Sequence, residues 1–397
     1  MQRRGFTLVE LMVALSGGLF LSIVVFALAR DTTRFYQREG RIASATLAGI
    51  VGFERLKADI ERAGYLSTPN IQSDPLVCTK VDSSAPVGLR TLAGLRITPN
   101  MPDLSGNAAF QLNSGVTPDQ LVLSGSYTAT DEFPISEASN GTNIFLQVNT
   151  PSMARLGYTT ASGGNNQLAL LQNVFGATPG QILRVKDQSG MLYFGQISAV
   201  TGGSQPSITL SAPFPVQAAG GRTCGLRGYE MGSSANVVNL VRYRVLDLQK
   251  DASGAAWQPL FTASQGATGE DSRTELVRDQ LKADGTTIAG TVDVVAEYAV
   301  DLQLSVMGQV AKGVSSLAFA SYPSSDWDTY FKANGTDDRP QGVRSVRLRL
   351  SVRSREADRS TGIAGGLYRF RVSATEWARV RTFQADVALP NQRRVQW

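Results

Sequence analysis

The residues with the clearest capacity for chemistry stand at the start of the chain. Arg3 and Arg4 are followed by Gly5, and Phe6 to Ala29 then form 24 residues with a single charge, Glu10. A lone carboxylate in an apolar run costs a few kcal/mol to place in a membrane and calls for a cationic partner. Elsewhere the chemistry is sparse. Histidine is absent, which removes the Ser-His-Asp triad, HExxH metalloprotease sites, His-ligated zinc and imidazole acid–base work. The two cysteines, Cys78 and Cys224, are too far apart for a CxxC redox motif and too few for a four-cysteine zinc site. Walker A, GxGxxG and GxSxG patterns are missing. The expectation is a protein that is not an enzyme and that calls for neither cofactor nor metal.

Hydropathy patterning gives the scaffold that carries these residues. As a helix, the run from Phe6 to Ala29 is roughly 36 Å long, enough to cross a hydrocarbon core of about 30 Å. Arg3 and Arg4 precede it with no acid nearby, so the positive-inside bias keeps the first residues cytoplasmic and exports the rest. A cleaved signal peptide could end at Ala27-Leu28-Ala29. Its apolar stretch, however, would be shorter and would not contain a carboxylate. Residues 30–65 continue the helical pattern without proline up to Ala63 and Gly64. Phe35, Ile42, Ile50, Phe53, Leu56 and Ile60 recur mostly at three-, four- or seven-residue steps. Gly64 reads as a C-cap and Pro69 as a stop.

Beyond residue 66 the pattern is β. Charged residues are only 18 % of the chain and glycine is 39 of 397, the mixture of short strands and many turns. Alternating runs fall at Gln120–Leu123, Asn143–Val148, Gln181–Val185, Tyr193–Val200, Ser207–Leu210, Val237–Val245, Val292–Leu304, Val343–Val352 and Leu367–Val372. The expected fold class is α+β: a long N-terminal helix, half membrane-spanning and half amphipathic, packed on a large antiparallel head. The expected segments are 1–5, a leader; 6–29, the membrane helix; 30–65, its amphipathic half; and two head lobes, 66–225 and 226–397.

The opening Met1-Gln2-Arg3-Arg4-Gly5-Phe6-Thr7-Leu8-Val9-Glu10 resembles a type IV prepilin. The resemblance implies cleavage after Gly5 by a membrane prepilin peptidase and methylation of the new Phe6 amine. It also implies that Glu10 meets the positive Phe6 amine of a neighbouring subunit, a pair that would set helix register. Major pilins often carry a proline in this helix; here Gly17-Gly18 stand instead, either a soft point or a place of close helix packing. The run Phe53-Glu54-Arg55-Leu56-Lys57-Ala58-Asp59-Ile60-Glu61-Arg62-Ala63-Gly64-Tyr65 is similar to the close of the first helix in PilW-type minor pilins and J-type pseudopilins. Ala296–Leu304, Val343–Arg353 and Arg379–Leu389 resemble PilW-type stretches in the same order. In the similar segment Gly180–Val200, Gln188 stands where family members often have a cysteine.

The family implies a single-pass inner-membrane protein with a periplasmic head, later displayed in a pilus. Its partners would be other minor pilins, the major pilin, a PilY-type tip adhesin, the prepilin peptidase and the inner-membrane assembly platform. The alternatives are a J-type pseudopilin of type II secretion and a filament-displayed adhesin or DNA-binding module.

Three further features carry expectations. Cys78 and Cys224 lie in the exported part, where a disulfide between them is expected over two buried thiols. From Arg339 to Trp397 there are thirteen arginines and four acids, a balance of +9 in a chain of net +5. Arg347, Arg349 and Arg353 alternate with apolar residues and so line one strand face. That face reads as a solvated sheet surface or as a docking surface for an acidic partner. Without interleaved aromatic platforms it is a poor nucleic-acid binder. Asp326-Trp327-Asp328 and Asn334–Asp338 offer oxygen ligands without EF-hand spacing and read as polar turns.

Overall fold

A computed structural model describes residues 8–78, 81–101, 104, 107–113, 115–158, 165–216, 224–251, 273–309, 319–331, 339–355, 357 and 369–392. The α+β class is as expected: one long helix leads into an antiparallel, sheet-rich head. Helix α1 spans Leu8–Glu61, 54 residues, and runs unbroken through Gly17-Gly18. It ends where Gly64, at φ +78°, turns the chain in the left-handed region that glycine enters without strain. The Gly64 amide then donates to the Ser124 carbonyl at 2.7 Å, tying the turn to the head.

The amphipathic half of α1 does not pack along its whole length. Phe53, Leu56 and Ile60 are buried, but Phe35 is 60 % and Ile50 44 % exposed. The side chain of Ile42 lies outside the described residues. Among the described side chains, Gly49 is the first fully buried position of the helix, and Leu8–Thr33 is exposed. Small residues make the contact with the head possible. A Cβ on Gly52 would sit 2.5 Å from the Val295 carbonyl oxygen, and one on Gly49 would collide with the Phe383 ring.

The first sheet is built from β1 (Leu95–Thr98), β2 (Gln120–Gly125), β3 (Phe133–Ser139), β4 (Asn143–Leu146), β5 (Ile182–Lys186), β6 (Leu192–Thr201), β7 (Ser207–Leu210), β8 (Ser234–Leu246), β9 (Glu275–Leu281) and β10 (Asp293–Ala296). Within it, pairing runs from β8 to β3, β4, β7, β6 and β5 in turn and returns to β8, a closed antiparallel ring. Closure removes the exposed strand edges of those six strands. Its interior holds Phe133, Ile144, Leu183, Val185 and Val237, with Phe175 from the helix Asn165–Phe175 packed on them. The first half of β8 closes this ring at Ser234–Val238; its second half pairs with β2 and β9. The chain thus leaves the open sheet after β2, builds the ring, and re-enters at β8.

The second sheet comprises β11 (Ala299–Gln309), β12 (Phe319–Pro323), β13 (Val343–Arg353), β14 (Arg369–Arg371) and β15 (Trp377–Ala388), ordered β12-β11-β13-β15-β14. The main core lies between this sheet, the open part of the first sheet and the end of α1, with Leu56, Leu121, Tyr243, Leu302 and Leu350 among its members. Strands on both sides of residues 225 and 226 share the first sheet, so the chain changes sheet between β10 and β11. The run Val292–Leu304 is accordingly two strands, broken at Glu297-Tyr298, where Tyr298 takes a φ of +55°.

Candidate functional site

The apolar stretch of α1 covers Leu8–Thr33, 26 residues with a mean hydropathy of 2.5 and none of it buried against the head. At 1.5 Å per residue this is about 39 Å, more than a hydrocarbon core. Glu10 lies in its first turn with its side chain exposed. A carboxylate in the first turn is favoured by the helix dipole, yet an apolar surround raises the cost of its charge unless a cation is brought to it. Arg3, Arg4, Gly5 and Phe6 lie outside the described residues, as do Asn334–Asp338.

A buried polar junction around Asp59 fastens this helix to the head. The Asp59 Oδ2 accepts from Tyr243 Oη at 2.7 Å and from Arg278 Nε at 2.8 Å. Its backbone carbonyl accepts from Tyr127 Oη at 2.9 Å. One turn on, the Arg62 guanidinium lies 5.4 Å from the Tyr127 ring centroid and donates to the Ser126 carbonyl at 2.9 Å. Burial and the nearby Asp59 charge push both tyrosines well above the ordinary phenol value, so both remain donors. Burial disfavours the Arg278 charge, but Asp59 outweighs it and holds that guanidinium above its usual value. Sequence reasoning did not single out Asp59. The available signal was its position, three residues after Leu56 and seven after Gly52, an acid on the apolar stripe.

Cys78 and Cys224 form a disulfide with Cα atoms 5.1 Å apart. The bridge is supported by pairing on its first side: Val77 makes a parallel bridge with Leu192, and the Cys78 amide donates to the Leu192 carbonyl at 3.0 Å.

Arg347, Arg349 and Arg353 of β13 do not form one open face. Arg347 is exposed and makes a two-pronged pair with Asp386, directly opposite on β15, at 2.8 and 3.1 Å. That pairing raises the arginine and lowers the carboxyl from their ordinary values. Arg349 pairs with Asp301 at 3.2 Å. Arg353 corrects the expectation of a partner face, because it is 0 % exposed. It stacks 5.1 Å from the Tyr298 centroid and donates to the Ser354 and Arg355 carbonyls, each at 3.0 Å. The β10–β11 turn folds over the end of β13 and takes this arginine from solvent.

Tyr298 is also met by Arg273, 4.8 Å from its centroid, and Arg273 pairs with Glu275 and Glu297. Glu275 is buried. Burial pushes its carboxyl up to about 7 despite the Arg273 charge that pulls the other way. The folded protein therefore holds a proton on Glu275 in a window where the unfolded chain has lost it, from about 4.5 to 7. Stability contributed by this group falls as pH rises through that window. Between pH 5 and pH 8 the wild type should lose on the order of 3 kcal/mol relative to a Glu275→Gln variant. Thermal melting of both proteins at the two pH values checks it, and equal shifts would refute it.

Residues 1–16 match the family model described as the prokaryotic N-terminal methylation motif. The chain has no significant match among curated proteins or among solved structures. A prepilin-type methylation motif, leading into an exposed membrane-length helix and an antiparallel head, supports a type IV pilin-like protein processed by prepilin peptidase.

Proposed function

We propose that this protein is a PilW-like minor pilin: a structural, non-catalytic subunit that primes pilus assembly and forms part of the tip complex. The observation that carries the reading is the exposed apolar length of α1 with Glu10 in its first turn, directly behind the methylation motif. Cleavage after Gly5 frees the Phe6 amine, and a neighbouring subunit's Glu10 is the carboxylate that such an amine would meet within a helix bundle. The positive-inside bias places Arg3 and Arg4 in the cytoplasm and the head outside the inner membrane. A head of this bulk suits a terminal, low-copy position better than a repeating shaft. The proposed partners are the major pilin, other minor pilins, a PilY-type tip adhesin and the inner-membrane platform.

Deletion followed by counting of surface pili tests the role. Loss of pili is expected, restored by the wild-type chain and not by Glu10→Ala, which would still be inserted and cleaved. Normal piliation after deletion would overturn the priming role. Loss of protein secretion with pili unaffected would transfer the protein to the J-type pseudopilin reading.

A further inference from the structure

A cleft of about 340 Å³ lies where the segment 81–89 meets the outside of the closed ring. Its floor is β6, with Phe194 turned outward toward Leu89 while Tyr193 packs inside the ring. Gly195, on the same face of β6 as Tyr193, leaves room there for the Phe214 ring, which a Cβ would meet at 2.9 Å. Pro86 stands in one wall, and Pro213 and Pro215 in the other. The size is at the lower end of small-ligand pockets, about 300–1,000 Å³.

The polar side chains of the cleft are Asp82, Ser84, Gln196 and Ser211, of which Asp82 alone carries a charge. The three prolines of the cleft have no N–H. The amides of Ala85, Ser211 and Phe214 are spent on the carbonyls of Asp82, Gln196 and Gly141. At the rim stands the Asp82 carboxylate, exposed and held below its ordinary value by hydrogen bonds from Ser83 and Ser84. It stays ionised at neutral pH and keeps acceptor capacity beyond those bonds, since a carboxylate offers about four lone-pair sites. An apolar body entering the cleft would find prolines and aromatic carbons, and a head at the rim would find an anion. The disulfide lies close along the chain to both walls: Cys78 is three residues before Val81, and Leu226, two residues after Cys224, donates its amide to the Pro215 carbonyl at 2.8 Å.

We propose that this cleft is a binding site for an apolar ring or branched group carrying an adjacent cation, recognised by the apolar walls and Asp82. The site lies on the head, away from α1, and does not depend on the assembly role proposed above. Such a group could belong to a free arylalkylamine or to an aromatic side chain next to a lysine or arginine in a protein segment.

The test uses the full chain in lipid nanodiscs with phenethylamine as probe, phenylpropionate as its anionic counterpart, and saturation-transfer NMR as readout. Phenethylamine should bind and phenylpropionate should bind more weakly. Ala212→Trp, a substitution at an exposed position that fills the mouth of the cleft, should abolish the signal. Asp82→Asn should weaken phenethylamine about two- to five-fold and narrow the gap between the two probes. A blocked Gly-Phe-Lys-Gly peptide that displaces phenethylamine would identify a protein segment as the source. Failure to displace it, with phenethylamine still bound, would identify a free amine. Undiminished signal in Ala212→Trp, a preference for the carboxylate, or no binding of either probe would overturn the proposal.

Discussion

An Asp59→Ala variant is expected to lose about 3–5 kcal/mol of head stability, the usual cost of stripping one partner from a buried charged pair. The loss has two parts. Arg278, whose side chain is 13 % exposed, would keep its charge with no carboxylate against it. Tyr243, fully buried, would lose the acceptor of its hydroxyl proton. Asp59→Asn keeps an acceptor for Tyr243 but no charge for Arg278, so it should fall between wild type and alanine. Removing both charges, as Asp59→Ala with Arg278→Met, should recover part of the stability, because the penalty comes from the stranded cation. Denaturant unfolding monitored by intrinsic fluorescence reads all four proteins. Because Asp59 joins α1 to β8 and β9, the alanine variant should also be cut faster by trypsin at Arg55 and Lys57. A loss below about 1 kcal/mol would mean that packing of Phe53, Leu56 and Ile60 alone holds the helix.

Removal of the disulfide should have a comparable effect by a different route. Cys78 and Cys224 are 146 residues apart in sequence, so the bridge greatly restricts the unfolded chain. In the chain-entropy model a loop of that length contributes roughly 5 kcal/mol, and measured losses are about 2–5 kcal/mol. A Cys78→Ser, Cys224→Ser double variant should therefore melt well below wild type under oxidising conditions. Reductant should lower the wild type to the level of the variant and leave the variant unchanged. The loss should concentrate where Val77 pairs with Leu192, seen as faster amide exchange there. An unchanged midpoint would show that these segments are held by their core contacts alone.

How far the fold could be read in advance varied with the range of the interactions involved. Ser207–Leu210 was legible to the residue, and the strands around Tyr193 and Val343 to within one or two, because alternation is a local property. Leu95–Thr98, Phe133–Ser139 and Trp377–Ala388 were not anticipated. Leu95–Thr98 is only four residues long, and the proline in β3 argues against a strand. Val292–Leu304 read as one strand because nothing in its apolar pattern marks Tyr298 as a turn in the left-handed region.

The membrane-length helix, the carboxylate in its first turn, the methylation motif and the β-rich character of the chain beyond residue 66 were all set by the order of residues. Each is written in residues adjacent along the chain. Folding in three dimensions was needed to make β8 serve both a closed ring and an open sheet, and to bury Gly49, Phe53, Leu56 and Ile60 of α1 against the head while Phe35 stays exposed. It was needed equally to bury Arg353 under Tyr298 and to turn Asp59 into a junction. A two-residue period says which face of a strand is apolar and nothing about which strand lies beside it. Neighbours brought together from distant parts of the chain, such as Asp59 with Tyr243 and Arg278, exist only once the chain has folded.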